Sequence, residues 1–264
     1  MNRIEQALAV LKEKNEKAFI TYITAGLPNY DKTKEIIKAQ EKAGTDIIEL
    51  GIPFSDPVAD GPVIQAASYD AILGRANLAK TFTCMQELRA ENVQIPIVFM
   101  MYYNTVLHYG VETFAKKCME CGVDGLIIPD LPFEEQEELQ KALNGSDETI
   151  LIQLVSPVSG ERVKKILENA RGFVYCVSSM GVTGQEEKKK KKVIEYLSEV
   201  KKVSKIPVMM GFGIRTAEDV RPMKDIIDGA IVGSHFINLM RESDFDANVA
   251  ADYCNTFKKE LNAL

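Results

Sequence analysis

Two carboxylates frame the chemistry open to this chain. Glu49 stands inside an otherwise apolar run at 46–51, and Asp60 closes the loop that follows it. A carboxylate set into a buried strand is desolvated, which raises its pKa and suits it to proton transfer near neutral pH. No arginine stands in a strand body to pair with Glu49 and make it merely structural. Asp60 precedes Gly61-Pro62. It reads equally as a helix-start residue, since proline fits a first helical turn, and as a second working carboxylate. The loop is long enough to fold Asp60 back towards Glu49, and Pro53, Pro57 and Pro62 stiffen it.

Three further segments suit an anionic ligand. Residues 178–185 hold Gly181 and Gly184 among small polar residues, with Thr183 as a candidate helix cap. Such a loop closes over a ligand and offers backbone N–H groups. Gly211-Phe212-Gly213-Ile214 and Gly233-Ser234 are glycine turns ahead of helical segments, where backbone and helix dipole favour phosphate. Tyr22, Tyr102, Ile127, Leu154, Tyr175, Phe212 and Val232 fall near strand ends and together make a wall for a flat aromatic group. No lysine sits at a strand end, which argues against Schiff-base chemistry.

These residues must be positioned by the surrounding elements. Short apolar, β-branched runs at 18–24, 46–51, 95–101, 125–129, 150–155, 173–178, 208–211 and 230–233 are predicted strands of a parallel sheet buried on both faces. Amphipathic stretches separate them, among them 31–43, 113–121, 133–143, 160–168 and 187–202. Eight strands, each followed by a helix, in 264 residues predict an α/β fold of the (β/α)₈ TIM-barrel type, a single domain over 1–264. An extra N-terminal helix at 3–13 precedes the first strand and can cover the barrel bottom. In such a barrel the active site lies at the C-terminal ends of the strands, where every candidate above falls.

Composition narrows the class. A net charge of −6 argues against a nucleic-acid partner. No apolar run reaches the roughly 18 residues of a membrane span. Residues 1–17 lack the apolar core of a signal peptide, so a cytoplasmic location is expected. Cys84, Cys118, Cys121, Cys176 and Cys254 form no disulfide framework and read as free thiols in a reducing compartment. Cys118 and Cys121 make a C-x-x-C late in a helical stretch, but no second pair or histidine follows at zinc spacing. His108 and His235 lie in different units, so no metal site is expected. The lysine run 188–192 reads as a solvated helix face.

The segment Glu49-Leu50-Gly51-Ile52-Pro53-Phe54-Ser55-Asp56-Pro57, continued by Ala59-Asp60-Gly61-Pro62, resembles the signature of the tryptophan synthase α subunit family. Tyr102 with Asn104, Asp130 with Pro132, Gly181-Val182-Thr183-Gly184 and Gly211-Phe212-Gly213-Ile214 extend the resemblance along the whole chain. It implies a lyase that cleaves indole-3-glycerol phosphate, by a retro-aldol step, to indole and glyceraldehyde 3-phosphate. By similarity, Glu49 is the general acid at indole carbon 3, Asp60 accepts the indole N–H, and Tyr175 lies beside Glu49 and the ligand. Gly184, Gly213, Gly233 and Ser234 would hold the phosphate. Tyr22, Ile127, Phe212 and Val232 would pack the indole, with Tyr102 and Thr183 among the substrate contacts. No cofactor is implied in this chain. Pyridoxal phosphate belongs to the partner β subunit of the family, which Pro53, Asp56, Asn104 and Pro132 would face in an αββα complex.

Ser178-Ser179-Met180 departs from the charged and small residues that some members carry there, and the lysine run belongs to no family pattern. Three competing readings share the scaffold: a stand-alone lyase that needs no partner, another phosphosugar barrel such as an isomerase, and a silent barrel that regulates a partner. The specific segment around Glu49 argues against the isomerase. Retention of both Glu49 and Asp60 argues against the silent scaffold.

Overall fold

The computed structural model describes residues 1–143, 147–177, 186–211 and 213–264, with side chains from residue 190 onward in the third range. The chain opens with α1 (Arg3–Glu13), β1 (Ala18–Thr24), α2 (Tyr30–Ala43), β2 (Ile47–Gly51), α3 (Pro62–Leu73) and α4 (Leu78–Ala90). Then come β3 (Ile97–Met100), α5 (Tyr103–Tyr109), α6 (Val111–Glu120), β4 (Gly125–Ile127), α7 (Glu137–Leu143), β5 (Ile150–Leu151), β6 (Gln153–Val155) and α8 (Arg162–Leu167). It finishes with β7 (Val174–Cys176), α9 (Glu186–Val203), β8 (Val208–Met210), β9 (Gly229–Val232), α10 (Ser234–Glu242) and α11 (Ala247–Asn262).

All strand pairs are parallel, in the order β5-β4-β3-β2-β1-β9-β8-β7-β6. The two ends of that order, β5 and β6, are halves of one strand broken only at Ile152. The Ile152 N–H still bonds Leu126 O of β4 at 2.9 Å. The sheet therefore closes on itself as the expected TIM barrel, and the predicted sixth to eighth strands are β7 to β9.

One expectation needs correction: not every strand is followed by an α-helix. After β8 the described chain forms only short 3₁₀ turns, Ala217–Asp219 and Arg221–Met223. Pro222 lies in the second turn. Its missing N–H and fixed ring bar a longer helix running through it from Ala217. Other units hold more than one helix, with α3 and α4 between β2 and β3 and α5 and α6 between β3 and β4.

Strand alternation sorts the core into two layers. Ile20, Ile47, Val98, Ile127, Ile150, Ile152, Phe173, Met209 and Ile231 fill the barrel interior. Phe19, Ile23, Ile48, Leu50, Ile97, Phe99, Leu126, Val174 and Val232 face the helices. α1 plugs the bottom as expected, because Ile4, Leu8 and Leu11 join the interior cluster. A capping box of Asn2 and Glu5 starts this helix, and Asn2 Nδ2 also donates to Asp124 O at 2.8 Å.

Asp124 clamps the same end of the barrel. Its buried carboxylate accepts from Arg3 at 2.9 Å, Arg89 at 2.7 Å and the Ile97 N–H at 2.8 Å. Burial raises its pKa, and the Arg89 guanidinium is the largest opposing influence. The stable end is thus bolted with ion pairs, while the opposite end is left for chemistry.

Candidate active site

Glu49 occupies the centre of β2, in register with Tyr22 of β1 and Val98 of β3. Alternation turns Glu49 inward with Ile47 and sends Ile48 and Leu50 to the helix layer. Its side chain is 1% exposed, and among the described residues neither carboxylate oxygen has a hydrogen-bond partner. Such a group is held as the neutral acid. Burial first, and the charge of Asp60 second, push its pKa up to about 8.

The loop after β2 brings Asp60 back over the barrel mouth. Asp60 is not the helix cap: Gly61 holds that position before Pro62, with no side-chain cap bond. Its carboxylate instead accepts from the Tyr102 hydroxyl at 3.0 Å. Burial raises the Asp60 pKa and the Tyr102 bond opposes this. Among the described residues the two carboxylates therefore sit in different settings, one with no donor and one with a phenol donor, a pattern that separates an acid from an anion.

The loop has a firm internal scaffold. Ser68 of α3 accepts from the Phe54 N–H at 2.7 Å and donates to Phe54 O at 2.9 Å. Gln65 donates to Asp60 O at 2.8 Å. Ser55 Oγ bonds Asp56 at 2.6 Å. Nothing in the local pattern sets Phe54, Gln65 and Ser68 apart as loop supports. The position of Gln65 and Ser68 on α3 under the loop that holds Phe54 is the signal, and it needs the fold.

Two tyrosines reach the mouth by lying on glycines. A Cβ on Gly51 would stand 2.0 Å from the Tyr22 hydroxyl, and one on Gly211 would stand 2.5 Å from the Tyr175 hydroxyl. Each ring fills the space that a larger neighbour would need. Burial pushes both phenols up. The next influence is Asp60 for Tyr22 and Glu49 for Tyr175, so the rings flank the carboxylate pair.

Ile127 faces the interior with them, and Met100 bridges the interior and mouth clusters. Val232 does not join this wall. Its register partner Thr21 faces outward to Gln40, and Val232 is wholly buried in the helix layer. Ile231 is the residue of β9 that faces the interior.

Gly233 caps α10, whose first turn has no side-chain cap and leaves backbone N–H groups of Ser234 and its neighbours for an anion. Ser234 is exposed there. Gly213 is exposed with φ +70, a left-handed conformation that favours glycine, and open space surrounds its Cβ position. Thr183, Gly184 and Phe212 lie outside the described residues. Of the expected partner face, Asp56, Asn104 and Pro132 are exposed and Pro53 is half-buried.

The cysteines are buried and free, and burial pushes the thiols of Cys118 and Cys121 up, away from the reactive thiolate. Among the described residues no group of three metal-ligating side chains gathers. No helix among them is long and apolar enough to cross a membrane.

A TIM barrel with a neutral buried acid and a second carboxylate at its C-terminal mouth defines a barrel enzyme of proton-transfer chemistry. Residues 8–264 match the family model described as tryptophan synthase alpha chain. The chain is 64% identical over 264 residues to the tryptophan synthase alpha chain of Lachnospira eligens, covering all of both chains. It is 49% identical over 237 residues to that of Alkaliphilus metalliredigens, covering 90% of this chain and 88% of that one. Its fold superposes on tryptophan synthase subunit alpha of Legionella pneumophila with a TM-score of 0.90 at 32% identity, covering 100% of each. A chain of M. tuberculosis tryptophan synthase in an open form gives 0.87 at 30% identity, covering 99% of each. The chain belongs to the tryptophan synthase alpha chain family. Its activity is the cleavage of indole-3-glycerol phosphate, a lyase step of tryptophan biosynthesis.

Proposed function

We propose that Glu49 supplies the proton that starts this cleavage and that Asp60 carries the compensating negative charge. The observation behind this reading is the Glu49 carboxyl, buried with no hydrogen-bond partner among the described residues and kept neutral at the barrel mouth beside Asp60. Indole is a poor carbanion leaving group, so carbon 3 must first be protonated. Glu49 gives its proton to that carbon. The ring then becomes a cation centred on nitrogen, and Asp60, accepting the ring N–H, stabilises it. Glu49, now an anion in a dry site, takes the proton of the adjacent glycerol hydroxyl. The carbon–carbon bond breaks, its electrons return to the ring, and indole and an aldehyde leave. Glu49 ends as it began, a neutral acid.

Tyr22, Tyr175 and Ile127 form the wall against the indole ring in this reading, and Gly213, Gly233 and Ser234 receive the phosphate. The resemblance adds Thr183, Gly184 and Phe212 to these contacts. This chain works as a single barrel domain in the cytoplasm without a cofactor of its own. Pro53, Asp56, Asn104 and Pro132 face a tryptophan synthase β subunit, which carries pyridoxal phosphate and receives the indole in an αββα complex. Exposed Val58 and Leu107 give the same rim an apolar component.

The test is indole release from indole-3-glycerol phosphate by the purified chain, alone and with a β subunit. Slow release alone and strong activation by the partner are expected. Fast release alone would replace the coupled reading with that of a stand-alone lyase.

A further inference from the structure

Tyr102 stands between β3 and α5, and its side chain grips the loop after β2 at three points. Its hydroxyl donates to Asp60 Oδ2 at 3.0 Å and accepts from the Ala59 N–H at 2.9 Å. Its ring stacks on Phe54, with centroids 5.1 Å apart and planes at 21°. On its other side, the Tyr103 N–H at the start of α5 bonds Asp130 Oδ1 at 2.9 Å. Asp130 lies in the exposed loop after β4, beside Pro132. An unbroken chain of bonds thus runs from the rim, through the start of α5, to one carboxylate of the site.

We propose that Tyr102 is a positioning residue that fixes Asp60 over the barrel mouth and ties its placement to the start of α5 and to Asp130. This rests on the role proposed above for Asp60 and assigns the group that holds it. The phenol is suited to the task. It is a rigid aromatic side chain whose hydroxyl donates one bond and accepts another, both on the same loop. The titratable groups around Asp60 are Glu49 of β2, Tyr22 of β1, Tyr175 of β7 and Tyr102. Among the described residues only Tyr102 donates a hydrogen bond to the Asp60 carboxylate. Asp130 adds a more distant negative charge on the far side of Tyr102.

Tyr102→Phe keeps the ring on Phe54 and removes only the hydroxyl. A hydrogen bond to a charged group is of the strength that changes a rate about tenfold or more. The expected result is a fall in kcat for indole release of about tenfold with KM changed by less than about threefold. The acidic limb of the pH–kcat profile should also move to higher pH, because Asp60 has lost the donor that favours its anion. Asp130→Ala, a surface change that leaves Tyr102 intact, should lower kcat by a smaller factor and move the limb less, because removing its negative charge opposes the loss of positioning. A purely structural role would lower kcat with the limb in place, and that result would overturn the proposal, as would a Tyr102→Phe enzyme with normal kcat and profile. Asp60→Asn separates the two levels. An inactive Asp60→Asn enzyme beside a normal Tyr102→Phe enzyme sinks the positioning role alone. A fully active Asp60→Asn enzyme sinks the role of Asp60 itself.

Discussion

Glu49→Gln isolates the energetic cost of keeping an acid in the barrel. The folded pKa is pushed up to about 8 from 4.5. Below pH 4.5 the carboxyl is neutral both folded and unfolded, and it adds no pH-dependent term. Between the two values the unfolded chain ionises and the folded one does not, so stability falls as pH rises. Each pH unit is about 1.36 kcal/mol, so the penalty is about 3 kcal/mol at neutral pH and on the order of 5 kcal/mol above pH 8, where it stops growing. Glutamine has nearly the same shape and no proton to lose. Its own burial penalty is constant with pH and drops out of the slope. Urea unfolding of both proteins from pH 5 to 9 should show the variant gaining on the parent by about 3 kcal/mol between pH 5 and 7 and levelling off above pH 8. A gap that stays constant with pH would refute the claim that the fold holds Glu49 neutral.

Gly51→Ala places a methyl 2.0 Å from the Tyr22 hydroxyl. It should destabilise by about 1–3 kcal/mol in thermal unfolding and raise KM for indole-3-glycerol phosphate as the ring is displaced. Asp124→Asn leaves the Arg89 guanidinium without its charged partner and should destabilise by about 3 kcal/mol in urea while KM stays unchanged. Ile4→Ala opens the plug under the barrel, where Ile4 is fully buried against interior residues. A loss of about 2–5 kcal/mol is expected, again with normal KM, because the plug lies at the end away from the mouth.

The barrel was legible because its strands are buried on both faces and so appear as continuous apolar runs. That same property exposes Glu49, since a charge inside such a run has few reasons to be there. The plug at α1 was visible in its helical pattern, and the structure adds Asn2, Arg3 and Asp124 as the anchors that hold it. The segment after β8 was harder. Pro222 sits late in an otherwise helical stretch, and only the observed 3₁₀ turns show which side of it gives way. Val232 shows the limit of reading strand ends without parity. Neighbours in a strand face opposite sides, and the register with Thr21 decides that its side chain points to the helices. The Tyr102–Asp60 bond joins residues far apart in the chain, and no local spacing announces it.

The pH dependence of indole release tests the central claim most directly. The parent chain should show kcat/KM falling above pH 8 as Glu49 loses its proton, and Glu49→Gln should lower turnover by at least about a hundredfold while the substrate still binds. Near-normal turnover in that variant, with the same falling limb, would contradict Glu49 as the acid and the mechanism built on it.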